Sequence, residues 1–181
     1  MKLCCGGVAR TTKLSLTPSK KLEMRRRVEE LDRAGQHLEA CEILVQLLAN
    51  SPRNPLIWNE LGVQYEKSGE TDKALDALRR GYLCDSTYTP ILYNLGKFTL
   101  DRFIRLHNAG ELTQAEGQKL LEKSAEFLNA NLDRDPDNAD AHYNLALVYA
   151  LGQDERRAEV HMTVALRMKQ DLEAPSEWLP G

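Results

Sequence analysis

The sequence repeats itself at a fixed interval of 34 residues. Gly35 recurs as Gly69, and Ala40 recurs as Ala74. A period between about 20 and 50 residues is typical of chains in which each repeat is one supersecondary unit that buries its apolar face against the next. The 181 residues therefore predict an array of stacked units.

One short string recurs near the start of successive units. Residues 59–62 read Asn-Glu-Leu-Gly, residues 93–96 read Tyr-Asn-Leu-Gly 34 positions later, and residues 143–146 read Tyr-Asn-Leu-Ala after a further 50 positions. The interval of 34 returns between Leu128 and Met162, which places an insertion of 16 residues inside the third unit. The predicted units are 21–54, 55–88, 89–138 and 139–172, between a leader (1–20) and a tail (173–181).

Each unit has the pattern of two helices. In the second unit, apolar residues from Leu56 to Tyr65 recur at helical spacing, Ser68 and Gly69 break the pattern, and the spacing resumes from Ala74. No segment alternates apolar and polar residues as a strand would. The pattern predicts an all-α chain of antiparallel helix pairs.

These positions resemble the tetratricopeptide repeat family. The second unit matches the series of that family at Trp58, Leu61, Gly62, Tyr65, Gly69, Ala74 and Leu78, and the fourth matches it at Leu145, Ala146, Tyr149, Ala158 and Ala165. The resemblance covers residues 21–172 and implies a right-handed α-solenoid. Departures include His142 at the usual Trp position and Gln153 at the turn glycine.

The insertion predicts a third hairpin about two turns longer in each helix than its neighbours. Thr113 and Glu116 have the spacing of a capping box, which indicates the start of its second helix. The projecting tip is interpreted either as a docking surface or as a neutral extension.

Charge is distributed unevenly along the chain. Residues 1–27 contain eight Lys or Arg residues and the single acid Glu23, whereas the remaining residues contain 16 basic and 26 acidic side chains. We predict that the leader is basic and disordered. The alternative is that it tethers the chain to nucleic acid or to an acidic membrane, with the repeats serving self-assembly.

Catalytic and metal-binding patterns are missing from the sequence. It has no phosphate-binding loop, no nucleophile elbow, no His-Glu-x-x-His and no Cys-x-x-Cys, so we predict no enzyme, no cofactor and no metal site. His142 and His161 lie in the two helices of one unit and are interpreted as packing or surface groups. The mean hydropathy of −0.49, four sparse cysteines and the lack of an apolar signal segment predict a cytoplasmic protein.

The family resemblance implies that the first helices of successive units line a concave groove that holds a partner segment. The residues at the groove-facing positions are Arg25, Glu29, Asp32, Asn59, Val63, Glu66, Tyr93, Asn94, Lys97, Leu100, Tyr143, Asn144 and Leu147. Asn side chains both donate and accept hydrogen bonds, so Asn59, Asn94 and Asn144 could pair with a peptide backbone. The alternative is that these residues only form good repeats.

We therefore interpret the chain as an adaptor or scaffold that binds a protein or peptide, with homo-oligomers possible and no nucleic acid or membrane partner expected. A secretion or assembly chaperone is the third interpretation. The carboxylate clamp of some family members is not expected, because Glu29 and Glu60 stand where Asn is required. Trp178 and Leu179 in the tail are predicted either to cap the last helix or to pack against another chain.

Overall fold

The computed structural model describes residues 16–169, which form eight α-helices and no strand. Successive helices pair as antiparallel hairpins, and each hairpin stacks on the next. The helices are α1 (Pro18–Arg33), α2 (His37–Asn50), α3 (Pro55–Lys67), α4 (Thr71–Cys84), α5 (Thr89–Asn108), α6 (Gln114–Leu132), α7 (Ala139–Leu151) and α8 (Glu155–Met168). The predicted all-α solenoid is confirmed.

Local chemistry fixes where the helices begin and turn. Thr17 and Asn54 accept hydrogen bonds from backbone N–H groups of α1 and α3, and each precedes a proline at the first helical position. The turn inside the fourth hairpin is built differently from the others, because Gln153 adopts a φ of +63° where Gly69 adopts +83° in the second. A left-handed residue with a side chain is strained, so the fourth turn is the less favourable one.

The two helices of a hairpin approach closely where the sequence has a small residue. A Cβ atom on Gly62 would lie 2.7 Å from Cγ of Leu78, and one on Gly96 would lie 2.5 Å from Cγ of Leu128. Ala146 is completely buried at the equivalent position of α7. Small residues at these sites therefore set the distance between paired helices.

The core runs along the array and crosses from hairpin to hairpin. One cluster joins α1, α2 and α3 with Ala77 of α4, a second joins α4, α5 and Phe127 of α6, and a third joins α5, α6 and α7. Because every cluster includes residues of two hairpins, no hairpin buries its apolar residues alone.

The third hairpin is the longest. Its helices have 20 and 19 residues, compared with 13 and 14 in the second hairpin. The predicted capping box is confirmed, since the Thr113 hydroxyl accepts a hydrogen bond from the Glu116 N–H and the Glu116 carboxylate accepts one from the Thr113 N–H. Within residues 16–169, no large apolar side chain is exposed between positions 84 and 150, so the projecting part of this hairpin is polar.

Two sets of predicted features lie outside the described residues. These are positions 1–15 of the leader and the tail residues Trp178 and Leu179. Of the helices in the described part, none is long and apolar enough to cross a membrane.

The close approach in the third hairpin leads to a stability prediction. Gly96→Ala should lower the free energy of unfolding by about 1–3 kcal/mol, because the new methyl group overlaps the Leu128 side chain. In urea denaturation, the Gly96→Ala/Leu128→Ala double variant should lose less stability than the sum of its single variants. Additive losses would show that this contact does not set the spacing.

Candidate functional site

The inner helices α1, α3, α5 and α7 are joined by a ladder of polar contacts along the predicted groove. In each contact, a residue of one inner helix meets a residue of the following inner helix. The second residue lies one position after the repeat equivalent of the first. The three contacts are Arg25 Nη1 to Glu60 Oε1 at 2.9 Å, Asn94 Nδ2 to Asn59 Oδ1 at 2.9 Å, and Asn144 Nδ2 to the Tyr93 hydroxyl at 3.4 Å. The ladder aligns successive hairpins and defines the line of the groove.

The middle contact leaves hydrogen-bonding capacity unused. Asn94 donates to Asn59, and among the described residues neither the amide nitrogen of Asn59 nor the amide oxygen of Asn94 has a partner. If the oxygen and the nitrogen are interchanged in both side-chain amides, Asn59 donates to Asn94 instead. The pair then still has one unused donor group and one unused acceptor. Both side chains are half-buried, so the pair presents a donor and an acceptor at the groove surface.

Asn144 is less available than the other two asparagines. Its side chain is 8% exposed, and its nitrogen donates to the Asp140 carbonyl at 2.7 Å as well as to Tyr93. Burial raises the pKa of Tyr93 to about 12, so its hydroxyl stays protonated and remains a donor at neutral pH. Asn144 therefore links α7 to α5, whereas the Tyr93 hydroxyl can still donate a hydrogen bond.

A second line of contacts lies toward the ends of the inner helices. Asp32 pairs with Lys67 at 2.6 Å, and this bond lowers the pKa of Asp32. Glu66 occupies the equivalent place in the next unit, but the residue equivalent to Lys67 is Asp101. Burial raises the pKa of Glu66, and the Asp101 charge raises it further. Lys97 is 2.6 Å from Asp101 and neutralises that second carboxylate.

The remaining predicted groove residues occupy different environments. Asn59 and Val63 line a depression of about 320 Å³ between α1 and α3. Tyr143 and Leu147 are half-buried on α7. The expectation that Leu100 faces the groove is wrong, because this residue is 1% exposed and packs between α5, α6 and α7.

His142 and His161 meet between α7 and α8. Their Nδ1 atoms are 2.9 Å apart, and Nε2 of His142 is 3.2 Å from the Pro136 carbonyl, so His161 donates to His142 while His142 donates to Pro136. Burial, with the neighbouring His142, lowers the pKa of His161. Between residues 16 and 169, no three His, Cys, Asp or Glu side chains converge to hold a metal ion.

Residues 25–87 match the family model of the tetratricopeptide repeat. The match covers 63 of the 181 residues, so this part of the chain is similar to tetratricopeptide repeats. No curated protein matches the sequence. The fold of the chain is similar to several solved structures at low sequence identity.

Three of those structures cover most of the described array. The crystal structure of MamA is 18% identical with a TM-score of 0.66, and the match covers 84% of this chain and 80% of MamA. YrrB, a TPR protein with an unusual peptide-binding site, is 20% identical with a TM-score of 0.63, over 84% of this chain and 71% of YrrB. TTC0263 of Thermus thermophilus is 20% identical with a TM-score of 0.69, over 83% of this chain and 75% of TTC0263.

Reasoning from the sequence missed how the inner helices pair. Asn59 and Asn94, like Arg25 and Glu60, are separated by 35 residues, one more than the period. A search for complementary residues at that separation would have found both pairs.

The opposite environments of Asp32 and Glu66 lead to a prediction about pH. A lowered pKa means that Asp32 stabilises the fold above its ordinary pKa of 3.8, and a raised pKa means that ionised Glu66 destabilises it above 4.5. At pH 7, Asp32→Asn should therefore lower the urea midpoint and Glu66→Gln should raise it. Both differences should shrink as the pH falls below these values, and shifts of the same sign at pH 7 would contradict the assignment.

Proposed function

We infer that this protein is an adaptor that binds an extended segment of a partner protein in its concave groove. The observation that carries the proposal is the unused donor and acceptor of the Asn59–Asn94 pair. A peptide unit offers one N–H and one C=O, so the pair complements a backbone whatever its side chains are. Contacts of this kind favour extended segments, whose backbone groups are not already bonded to each other.

The surroundings of the pair suit a peptide that is held by its backbone and by apolar contacts. Val63 and Tyr93 are half-buried beside the amides, and the Tyr93 hydroxyl remains a donor. Lys97 already pairs with Asp101, so its charge is compensated. Tyr143, Asn144 and Leu147 extend the proposed site toward α7. The structurally similar protein YrrB has a peptide-binding site, which supports the same class of ligand for this chain.

Three basic residues of the first helix favour the groove over an electrostatic tether. Lys20 pairs with Glu23, Arg25 with Glu60, and Arg27 with Glu30 in the first helix. Cations that already have a carboxylate partner gain less from a phosphate. No observation in the described part favours a chaperone over an adaptor.

The proposal predicts that the Asn59–Asn94 pair contributes to peptide affinity. Peptides selected from a random displayed library should bind Asn94→Ala about fivefold more weakly, the equivalent of one hydrogen bond of about 1 kcal/mol. Asn129→Ala, on the outer helix α6, is the matched control and should leave the dissociation constant unchanged. Thermal unfolding of each variant checks that the fold is retained.

A change in the peptide tests the same contact without altering the protein. N-methylation of one backbone amide at a time should find a position at which affinity falls for the wild-type chain but not for Asn94→Ala. The proposal fails if every N-methyl peptide loses affinity equally with both chains. It also fails if Asn129→Ala weakens binding as much as Asn94→Ala does.

A further inference from the structure

We propose that His142 and His161 form a pH-sensitive joint, which holds α8 on α7 at neutral pH and releases it in mild acid. Their Nδ1 atoms lie 2.9 Å apart. A hydrogen bond between two ring nitrogens needs a proton on one and a lone pair on the other. A charged imidazole carries a proton on both nitrogens, so the bond is lost when both rings are charged.

The second unit builds the same position without a titratable group. Trp58 and Ala77 are the repeat equivalents of the two histidines. The Trp58 indole donates to the Pro52 carbonyl at 2.8 Å, and Nε2 of His142 lies 3.2 Å from the equivalent carbonyl of Pro136. An indole is a donor that does not titrate, whereas an imidazole ordinarily gains a charge near pH 6.5. The exchange therefore makes the fourth unit responsive to pH where the second is not.

The hydrogen bonds determine where added protons bind. In the neutral pair, His142 carries its proton on Nε2, which faces the Pro136 carbonyl, and His161 carries its proton on Nδ1. A first added proton binds Nε2 of His161 and leaves the contact intact. A second can bind only Nδ1 of His142, which faces the N–H of His161. The two N–H groups then oppose each other, and the rings must separate.

The surroundings of the joint disfavour positive charge. The His161 ring stacks on the Tyr149 ring with centroids 5.5 Å apart, and the Arg157 guanidinium lies 4.3 Å from the centroid of the same tyrosine. Burial lowers the pKa of His161, and the charges of His142 and Arg157 lower it further. A lowered pKa means that the stability is present above the ordinary value of 6.5 and is lost as the pH falls below it.

The neighbouring elements provide little compensation for a charged ring. Asp154, at the start of α8, already pairs with Arg157 at 2.6 Å. From α6, Asn129 contributes an uncharged amide to the Tyr149 hydroxyl, and the exposed Glu122 lines a depression of about 360 Å³ with Tyr149 and Arg157. In the described part of the chain, neither histidine of the joint forms an ion pair with a carboxylate.

Helix α8 depends on the joint because it has few other attachments. Its buried side chains are Ala158, Met162 and Ala165, and two of these three are small. None of the three core clusters formed by the described residues includes a residue of α8. Among the described helices, its main packing partner is α7. Loss of the histidine contact should therefore free α8 before the other helices.

Hydrogen exchange of the full chain, corrected for the intrinsic effect of pH, tests the joint without a peptide ligand and is independent of the proposed function. Between pH 7.5 and pH 5.5, protection of the α8 amides should fall about tenfold, the change that one pKa unit produces, while protection of α3 and α4 stays constant. The His142→Trp/His161→Ala variant copies Trp58 and Ala77 of the second unit. It should keep the protection of α8 at both pH values.

His107→Gln is the matched control, because His107 stacks on Phe103 in the third hairpin, away from the joint. It should leave the pH response of α8 unchanged. Equal protection of wild-type α8 at both pH values would overturn the proposal, as would the same loss in the His142→Trp/His161→Ala variant.

NMR titration of the wild-type imidazoles gives a test that does not depend on any variant. The His161 resonances should titrate below pH 6.5, and the α8 amide resonances should change together with the second of two protonation steps of the pair. A single step at the ordinary imidazole value, with no change in the α8 amides, would also overturn the proposal.

Discussion

The close approach of paired helices is the constraint on which the rest of the structure depends. Backbones meet at Gly62 and Gly96 because neither residue has a Cβ atom to collide with Leu78 or Leu128. This spacing lets each outer helix bury its apolar side against its own inner helix. The hairpin that results cannot bury all of its apolar surface, so it stacks on the next one, and the core continues from one hairpin to another.

Stacking in this register brings the inner helices side by side and determines which polar groups meet. Where the meeting residues carry opposite charges, as in Arg25 and Glu60, the two charges neutralise each other. Where they are two amides, as in Asn59 and Asn94, one donor and one acceptor are left over. The same geometry that aligns the solenoid therefore leaves both a donor and an acceptor unmatched at this pair, next to the unused proton of the Tyr93 hydroxyl.

Much of the fold could be predicted from the sequence, because a period is a property of many residues at once. The small residues and the capping box of the third hairpin are local signals, and both were predicted. Individual groove residues were harder, because their exposure depends on neighbouring hairpins. Asn144 is buried where it contacts Tyr93. Leu100 is buried because α5 continues past the point at which the shorter inner helices end. The opposite pKa shifts of Asp32 and Glu66 also arise across units and have no signature in either segment alone.

The most direct test of the groove is to observe its side-chain amides while a selected peptide is added. In ¹⁵N-edited NMR spectra, the side-chain NH₂ resonances of Asn59 and Asn94 should shift and saturate with the peptide, while those of Asn108 and Asn129 stay in place. Shifts at Asn129 without shifts at Asn59 and Asn94 would contradict the account, because they would place the peptide on the outer helices.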